Sequence, residues 1–276
     1  MIRVMMRVKD KALRQLKHST RLRKAKEMGI TFVPPNYVFL DRFNSSSVII
    51  DVGCGYDADF SLFMISKFGL RAIALDPTEK HAQSLRSLEA QFGGRFKHVP
   101  LAVAATDGTL RFHESLENVS GSILADHTNV INDPIRTYEV ESTSMQRLLE
   151  RLHLTRADYL KLDLEGAEYE VINSAGKEVL SGFDQIFVEF HHHCSHYSIR
   201  DTHGAVALMA AKGFQSLSPS RPDRGLPSRS APSSSTSTPN PGATRSGWSR
   251  TAFSWFRSRT GSSPDDPAGG FLSIGA

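Results

Sequence analysis

The sequence predicts an α/β protein with a mostly parallel sheet and helices on both faces. Three observations carry that expectation. Strand-length apolar runs alternate with segments of helical spacing through residues 31–217. The runs are apolar throughout, as strands covered on both faces are. Several end in Gly, Asp or Pro, residues that turn a chain out of a sheet.

Val48–Val52 is the first such run and closes on Gly53 and Gly55. Ala58–Phe68 has helical apolar spacing. Ala72–Leu75 is a second strand, stopped by Asp76-Pro77, and Thr78–Gln91 follows as a helix with Thr78 at its N-cap. Phe96–Ala105 is strand-like. The Asp107-Gly108 turn signal and the alternation of Thr109–His113 add a returning strand. Thr137–Val140 then reads as a strand and Ser142–Leu152 as a helix. Tyr159–Leu164 is a buried strand, Ala167–Ala175 a helix, Gln185–Phe190 a strand and Thr202–Lys212 a helix. Gly213–Leu217 begins a last strand.

The 276 residues fit one large domain or two small ones. Charge is partitioned. Residues 1–30 hold ten basic and two acidic side chains, residues 31–216 sixteen and twenty-four, and residues 217–276 seven and three. The basic excess belongs to the two ends, so no nucleic-acid partner is expected. Two cysteines exclude a disulfide framework and favour a cytoplasmic setting. No apolar run approaches the ~18 residues of a membrane span, and no secretory segment is expected. Residues 1–30 read as a basic helix that packs on the domain or makes a peripheral contact with anionic lipid or an acidic partner. Residues 218–276 are rich in Ser, Pro and Arg, lack Lys and have no sustained period. They are expected to be a disordered tail. Their abrupt onset resembles a shifted reading frame, although Phe253, Trp255 and Phe256 form a dense apolar cluster.

Ile50-Asp51-Val52-Gly53-Cys54-Gly55 is a strand running into a glycine turn and then a helix. Gly53 and Gly55 allow a sharp turn and close approach of a ligand to the backbone. Asp51 precedes the turn, where a carboxylate suits a cationic amino-acid moiety and repels a pyrophosphate. Asp76 ends the second strand, where a carboxylate can take both ribose hydroxyls. Asp76 fits NAD and S-adenosylmethionine equally; the acidic surroundings, with Asp57 and Asp59, favour the sulfonium ligand. Cys54 lies in the turn with no base in sight and reads as structural.

Two further stretches carry chemistry. In Lys161-Leu162-Asp163-Leu164-Glu165-Gly166-Ala167-Glu168, alternation sends Lys161, Asp163 and Glu165 to one side of a strand end. Asp163 and Glu165 could hold a divalent cation, orient an acceptor hydroxyl or take its proton. Glu168 reads as a helix N-terminal carboxylate. In Val188-Glu189-Phe190-His191-His192-His193, Glu189 is a carboxylate inside an apolar strand, costly unless paired. His191 shares its strand face by alternation. The histidine run lacks the ligand spacing of a structural zinc site.

Together with Ala74-Leu75-Asp76-Pro77 and Pro100-Leu101-Ala102-Val103-Ala104, these motifs resemble the FkbM family of S-adenosylmethionine-dependent methyltransferases. The resemblance covers roughly residues 46–217. It implies a Rossmann-like class I methyltransferase fold and methyl transfer to a hydroxyl of a sugar or natural-product acceptor, whether small molecule or glycan. It places Asp51, Gly53 and Gly55 along the methionine part of the cofactor, Asp76 at the ribose, and Asp163 and Glu165 near the acceptor. Asp163, Glu189 or His191 would be the base. The family domain ends in another core strand where this chain carries its tail, so a C-terminal edge strand is expected to be missing. The alternatives are an NAD-dependent oxidoreductase, or a truncated or frame-shifted relative with impaired catalysis.

Overall fold

The computed structural model describes Arg23, Lys26, Glu27 and residues 29–33, 37–218, 251–256 and 272–273. The expected N-terminal helix and most of the expected tail lie outside the described residues. Among them, no helix is long and apolar enough to cross a membrane.

A hairpin of β1 (Ile30–Val33) and β2 (Tyr37–Leu40) precedes the alternating core. The core runs β3 (Val48–Val52), α1 (Asp59–Phe68), β4 (Arg71–Leu75), a 3-10 turn (Glu79–His81), α2 (Ala82–Phe92) and β5 (Phe96–Val99). An insertion follows: β6 (Ala102–Val103), β7 (Gly108–Ser115), β8 (Gly121–Ser122), α3 (Thr128–Asn132) and β9 (Ile135–Thr143). The core resumes with α4 (Met145–Arg151), β10 (Ala157–Leu162), α5 (Glu168–Ser174), α6 (Lys177–Leu180), β11 (Phe183–Phe190), α7 (Ile199–Ala211) and β12 (Gln215–Ser218). Two strands from the far end complete it, β13 (Thr251–Phe256) and β14 (Leu272–Ser273).

The main sheet has the order β14-β12-β13-β11-β10-β3-β4-β5. Strands β5, β4, β3, β10 and β11 are mutually parallel, and β13 runs antiparallel between β11 and β12. Alternate residues of β3 serve opposite faces. Ile50 and Val52 join Leu148, Tyr169 and Val206 from α4, α5 and α7. Ile49 joins Phe60, Met64 and Leu85 from α1 and α2. The hairpin is clamped on this second side, where Gln185 accepts from Leu40 N at 2.7 Å and donates to Leu40 O at 3.1 Å.

Two expectations need correction. The sequence placed residues 251–256 in a disordered tail and left an edge strand missing. Instead they form β13, paired over six residues with β11 and three with β12. Trp255 is fully buried, with its ring 6.1 Å from that of Phe190, and Ser254 Oγ donates to Val38 O at 2.9 Å. Six residues, none of them exposed, suffice for a strand whatever their flanks contain, because two unsatisfied sheet edges supply the partners. The single strand expected over Phe96–Ala105 breaks at Pro100. Proline has no N–H to donate, so β5 stays in the main sheet. Beyond the break, β6 joins a second sheet of order β6-β9-β7-β8, and the expected returning strand pairs there with β9.

Candidate active site

The carboxyl ends of β3, β4, β10 and β11 open into one cleft of about 1000 Å3, roofed by the second sheet and α3. The switch in strand order between β3 and β10 puts it where open α/β sheets bind ligands. Its walls include Gly53, Gly55, Asp76, Asp163, Glu165, Glu189 and His191. Seven of the eight residues expected in the site therefore meet in one cavity.

Asp51 is the eighth and does not line it. Its carboxylate is fully buried behind the turn, accepting from Ser61 Oγ at 2.7 Å and pairing with Lys161 Nζ at 3.2 Å. Lys161, to which the sequence reading gave no role, is the hub. Its ammonium also donates to Gly53 O at 2.9 Å and lies 3.3 Å from Asp163. Burial opposes its charge, but Asp51 and Asp163 outweigh burial and hold the ammonium well above its usual pKa. Asp51 thus bears on the cleft through Lys161. Alternating Lys161 and Asp163 in the motif was the available signal.

The glycine turn is tightly fitted. Gly53 has φ +76°, and a Cβ there would lie 1.8 Å from the Asp163 carbonyl oxygen. Its N–H groups are spent internally. Gly53 N and Cys54 N donate to Leu75 O at 2.8 and 3.3 Å, Gly55 N to Asp76 Oδ2 at 2.9 Å, and Phe60 N to Asp59 Oδ1 at 2.6 Å. Burial drives the Cys54 thiol up, which fits a structural residue.

Asp76 is buried yet held below the usual carboxylate range. Burial is the largest influence and opposes this; the His81 imidazole and the Thr78 N–H outweigh it. Oδ2 accepts from Gly55 N and from His81 Nδ1 at 3.2 Å, and Oδ1 from Thr78 N at 2.9 Å. Three of about four acceptor positions are taken. One position, on Oδ1, stays open.

Around His191 the site is a charge cluster. Its Nδ1 lies 2.7 Å from Glu168 Oε1, and its Nε2 is 3.6 Å from both Asp163 and Glu165. Glu168, fully buried, also accepts from Leu164 N and Gly166 N. Burial disfavours the imidazolium, but Glu168, Glu165 and Asp163 outweigh it and raise the His191 pKa well above 6.5. His191 lies at the cleft, and its raised pKa disfavours its use as a base. Glu165 has φ +50°, accepts from Ser120 Oγ at 3.1 Å and pairs with His127 at 3.1 Å. Burial opposes its charge, but His191 and His127 bring it to about 2. Such a carboxylate is ionised and a weak base.

A group whose folded pKa is raised stabilises fully below its unfolded pKa and loses that contribution as pH climbs toward the folded value. His191 stabilisation is therefore complete below about pH 6.5 and declines above it. Urea unfolding from pH 6 to 9 should show wild-type stability falling more steeply with pH than that of His191→Gln. Parallel slopes would remove the imidazolium.

The divalent cation considered for Asp163 and Glu165 does not fit. Asp163 faces the Lys161 ammonium, Glu165 is paired with His127 and bonded by Ser120, and the neighbouring Glu168 is spent on two backbone N–H groups and His191. A second group, His127, Glu165 and Cys194, fails differently. His127 Nδ1 accepts from Asn129 N, its Nε2 faces Glu165, and burial pushes the Cys194 thiol to about 11. A metal needs lone pairs and thiolate at those atoms.

The strand order, with one antiparallel strand between the last two of its half-sheet, and the cleft over β3 and β4 define a class I methyltransferase fold. The model of the FkbM methyltransferase domain matches residues 51–216, and the chain belongs to that family. No curated protein sequence matches it. Among solved structures it is similar to the methyltransferase FkbM from Methylobacillus flagellatus KT, at 13% identity over 79% of this chain and 45% of that one, TM-score 0.48. It thus spans under half the length of that relative. It is also similar to the precorrin-6y C5,15-methyltransferase from Geobacter metallireducens GS-15, at 10% identity over 83% and 94% of the two chains, TM-score 0.39. The M. capricolum TrmK in complex with S-adenosylhomocysteine follows at 11% identity over 54% and 47%, TM-score 0.31.

Proposed function

We propose that the protein transfers a methyl group from S-adenosylmethionine to a hydroxyl oxygen of a sugar or natural-product acceptor. The observation that carries this is the cleft's charge. Asp57, Asp59, Asp76, Asp133, Asp163, Glu165 and Glu189 line it, against Lys161 and the His191 imidazolium. Such a wall favours a cationic sulfonium and disfavours pyrophosphate. The NAD reading is weaker still because the Gly53, Cys54 and Gly55 N–H groups, which could face a phosphate, are already hydrogen-bonded. Gly53 and Gly55 would flank the methionine part and Asp76 the ribose. The roof supplies Asn118, Ser120, Asn129 and Asn132, hydrogen-bonding groups suited to a hydroxylated acceptor, and Val119, half exposed at the mouth.

S-adenosylmethionine brings an electrophilic methyl, so the chain must orient an oxygen in line with it and receive a proton. His191 is a cation and Glu165 is too weak a base. Of the two carboxylates that remain, Asp163 has 21% of its side chain exposed beside both and Glu189 is 1% exposed, so Asp163 is the group we assign to accept the hydroxyl proton. The Lys161 ammonium fixes its rotamer. Glu189 lines the same wall and contributes negative potential near the sulfonium.

Calorimetric titration with S-adenosylhomocysteine, against NAD as control, tests the cofactor; micromolar binding of the first alone is expected. Labelled methyl transfer to a panel of glycosides and polyketides then tests the acceptor. Asp163→Asn should lower turnover about a hundredfold while sparing S-adenosylhomocysteine binding. Unchanged turnover would remove Asp163 as base. A cytoplasmic location and a peripheral contact of residues 1–30 with lipid or an acidic partner are separate proposals, checked by fractionation and vesicle sedimentation.

A further inference from the structure

The mechanism leaves one buried group at the cleft unused. His81, on the 3-10 turn after β4, is 4% exposed and lines the cleft. Its Nδ1 lies 3.2 Å from Asp76 Oδ2; a carboxylate only accepts, so in the neutral ring the N–H sits on Nδ1 and Nε2 is an acceptor. Among the described residues Nε2 has no hydrogen-bond partner. An orphaned buried acceptor is costly, and in a native protein it asks for an explanation. The neighbouring carboxylate poses the complementary problem. Asp76 retains one acceptor position, on Oδ1, whereas a ribose presents two hydroxyl donors.

We infer that His81 is a cofactor-specificity residue whose Nε2 accepts one ribose hydroxyl while Asp76 accepts the other. The inference rests on the adenosyl-ligand reading above. The pair of residues forms a two-acceptor fork, locked by the bond between them, and matches a cis-diol better than a single hydroxyl. Nε2 is closed to solvent in the ligand-free chain. Tyr56, half exposed on the same wall, lies with its ring 6.0 Å from the imidazole. His81 also has a structural duty toward Asp76, so loss of binding alone would not separate the two roles. A thermodynamic cycle does.

The experiment is calorimetric titration of the full chain with S-adenosylhomocysteine and its 2′-deoxy and 3′-deoxy analogues, for wild type and His81→Phe. Wild type should discriminate about tenfold against the deoxy ligands, the cost of an unmade hydrogen bond at a buried group. His81→Phe should weaken the parent ligand about tenfold and leave one deoxy analogue nearly unaffected, the one lacking the hydroxyl that Nε2 receives. An equal loss for all three ligands would make His81 purely structural and overturn the inference, as would no loss. Should His81→Phe not fold, wild type and His81→Gln decide. Discrimination against both deoxy ligands in wild type, changed for one of them in His81→Gln, supports the fork; wild-type indifference to either hydroxyl overturns it. Failure of wild type to bind S-adenosylhomocysteine at all would instead bring down the cofactor reading, and the fork with it.

Discussion

Trp255→Ala is expected to destabilise the protein by about 3–5 kcal/mol, the range for removing a fully buried aromatic side chain. Trp255 is 0% exposed and packs with Phe190 and Phe253 at 6.1 and 5.7 Å between ring centroids. It belongs to the same core as Ile50, Tyr169 and Val206, so the effect is global rather than confined to one end of the chain. Its indole N–H has no hydrogen-bond partner among the described residues, so Trp255→Phe should cost much less than Trp255→Ala. Urea unfolding of both variants checks this. A disordered tail, as its composition suggests, would leave both unchanged. That result would also return the truncated-relative reading to consideration, since β11 would then present an open edge.

Lys161→Met is expected to cost about 3–5 kcal/mol and to abolish S-adenosylhomocysteine binding, because it strands a buried charge. Asp51 is 0% exposed, and Lys161 is its cationic partner at 3.2 Å. The same ammonium ties Gly53 O and Asp163, so its loss frees the glycine turn and the proposed base together. Burial already raises the Asp51 pKa in the presence of Lys161. Without the lysine the carboxyl should take up a proton more readily. The deficit of Lys161→Met should therefore shrink as pH falls and grow as it rises. Adding Asp51→Asn should restore much of the stability without restoring the site. Equal deficits at pH 5 and pH 8, or no rescue by the second substitution, would mean that Asp51 and Lys161 do not act as a pair.

The chemistry-bearing motifs were legible because each is local. Gly53 and Gly55 follow a strand by one and three residues, Asp76 ends the next, and Asp163, Glu165 and Glu168 fall within six positions. Strand ends in a parallel sheet share one edge, so reading each motif in place was enough to bring seven residues to one cleft. Partnerships were not legible. Nothing in the spacing says that Lys161 reaches Asp51, that Glu168 holds His191 from the first turn of α5, or that His127 arrives from an insertion to meet Glu165. Those pairs join segments 23 to 110 residues apart. They decide which carboxylate is ionised, which histidine carries a proton and which group is left to act as a base.

By itself the sequence determined the alternating architecture, the glycine turn over the first strand and the acidic character of the cleft. Each follows from residue type and period alone, since apolar runs must be buried and a left-handed turn needs glycine. The tertiary structure decided the rest. It fitted six residues of an unpromising tail between two strands, because backbone donors and acceptors at a sheet edge must be paired and their partner need not be near in sequence. It moved Asp51 from the cofactor wall to the support behind it, and set His81 beside Asp76. Burial and long-range pairing fix charge and protonation, and neither is a property of a residue until the chain has folded around it.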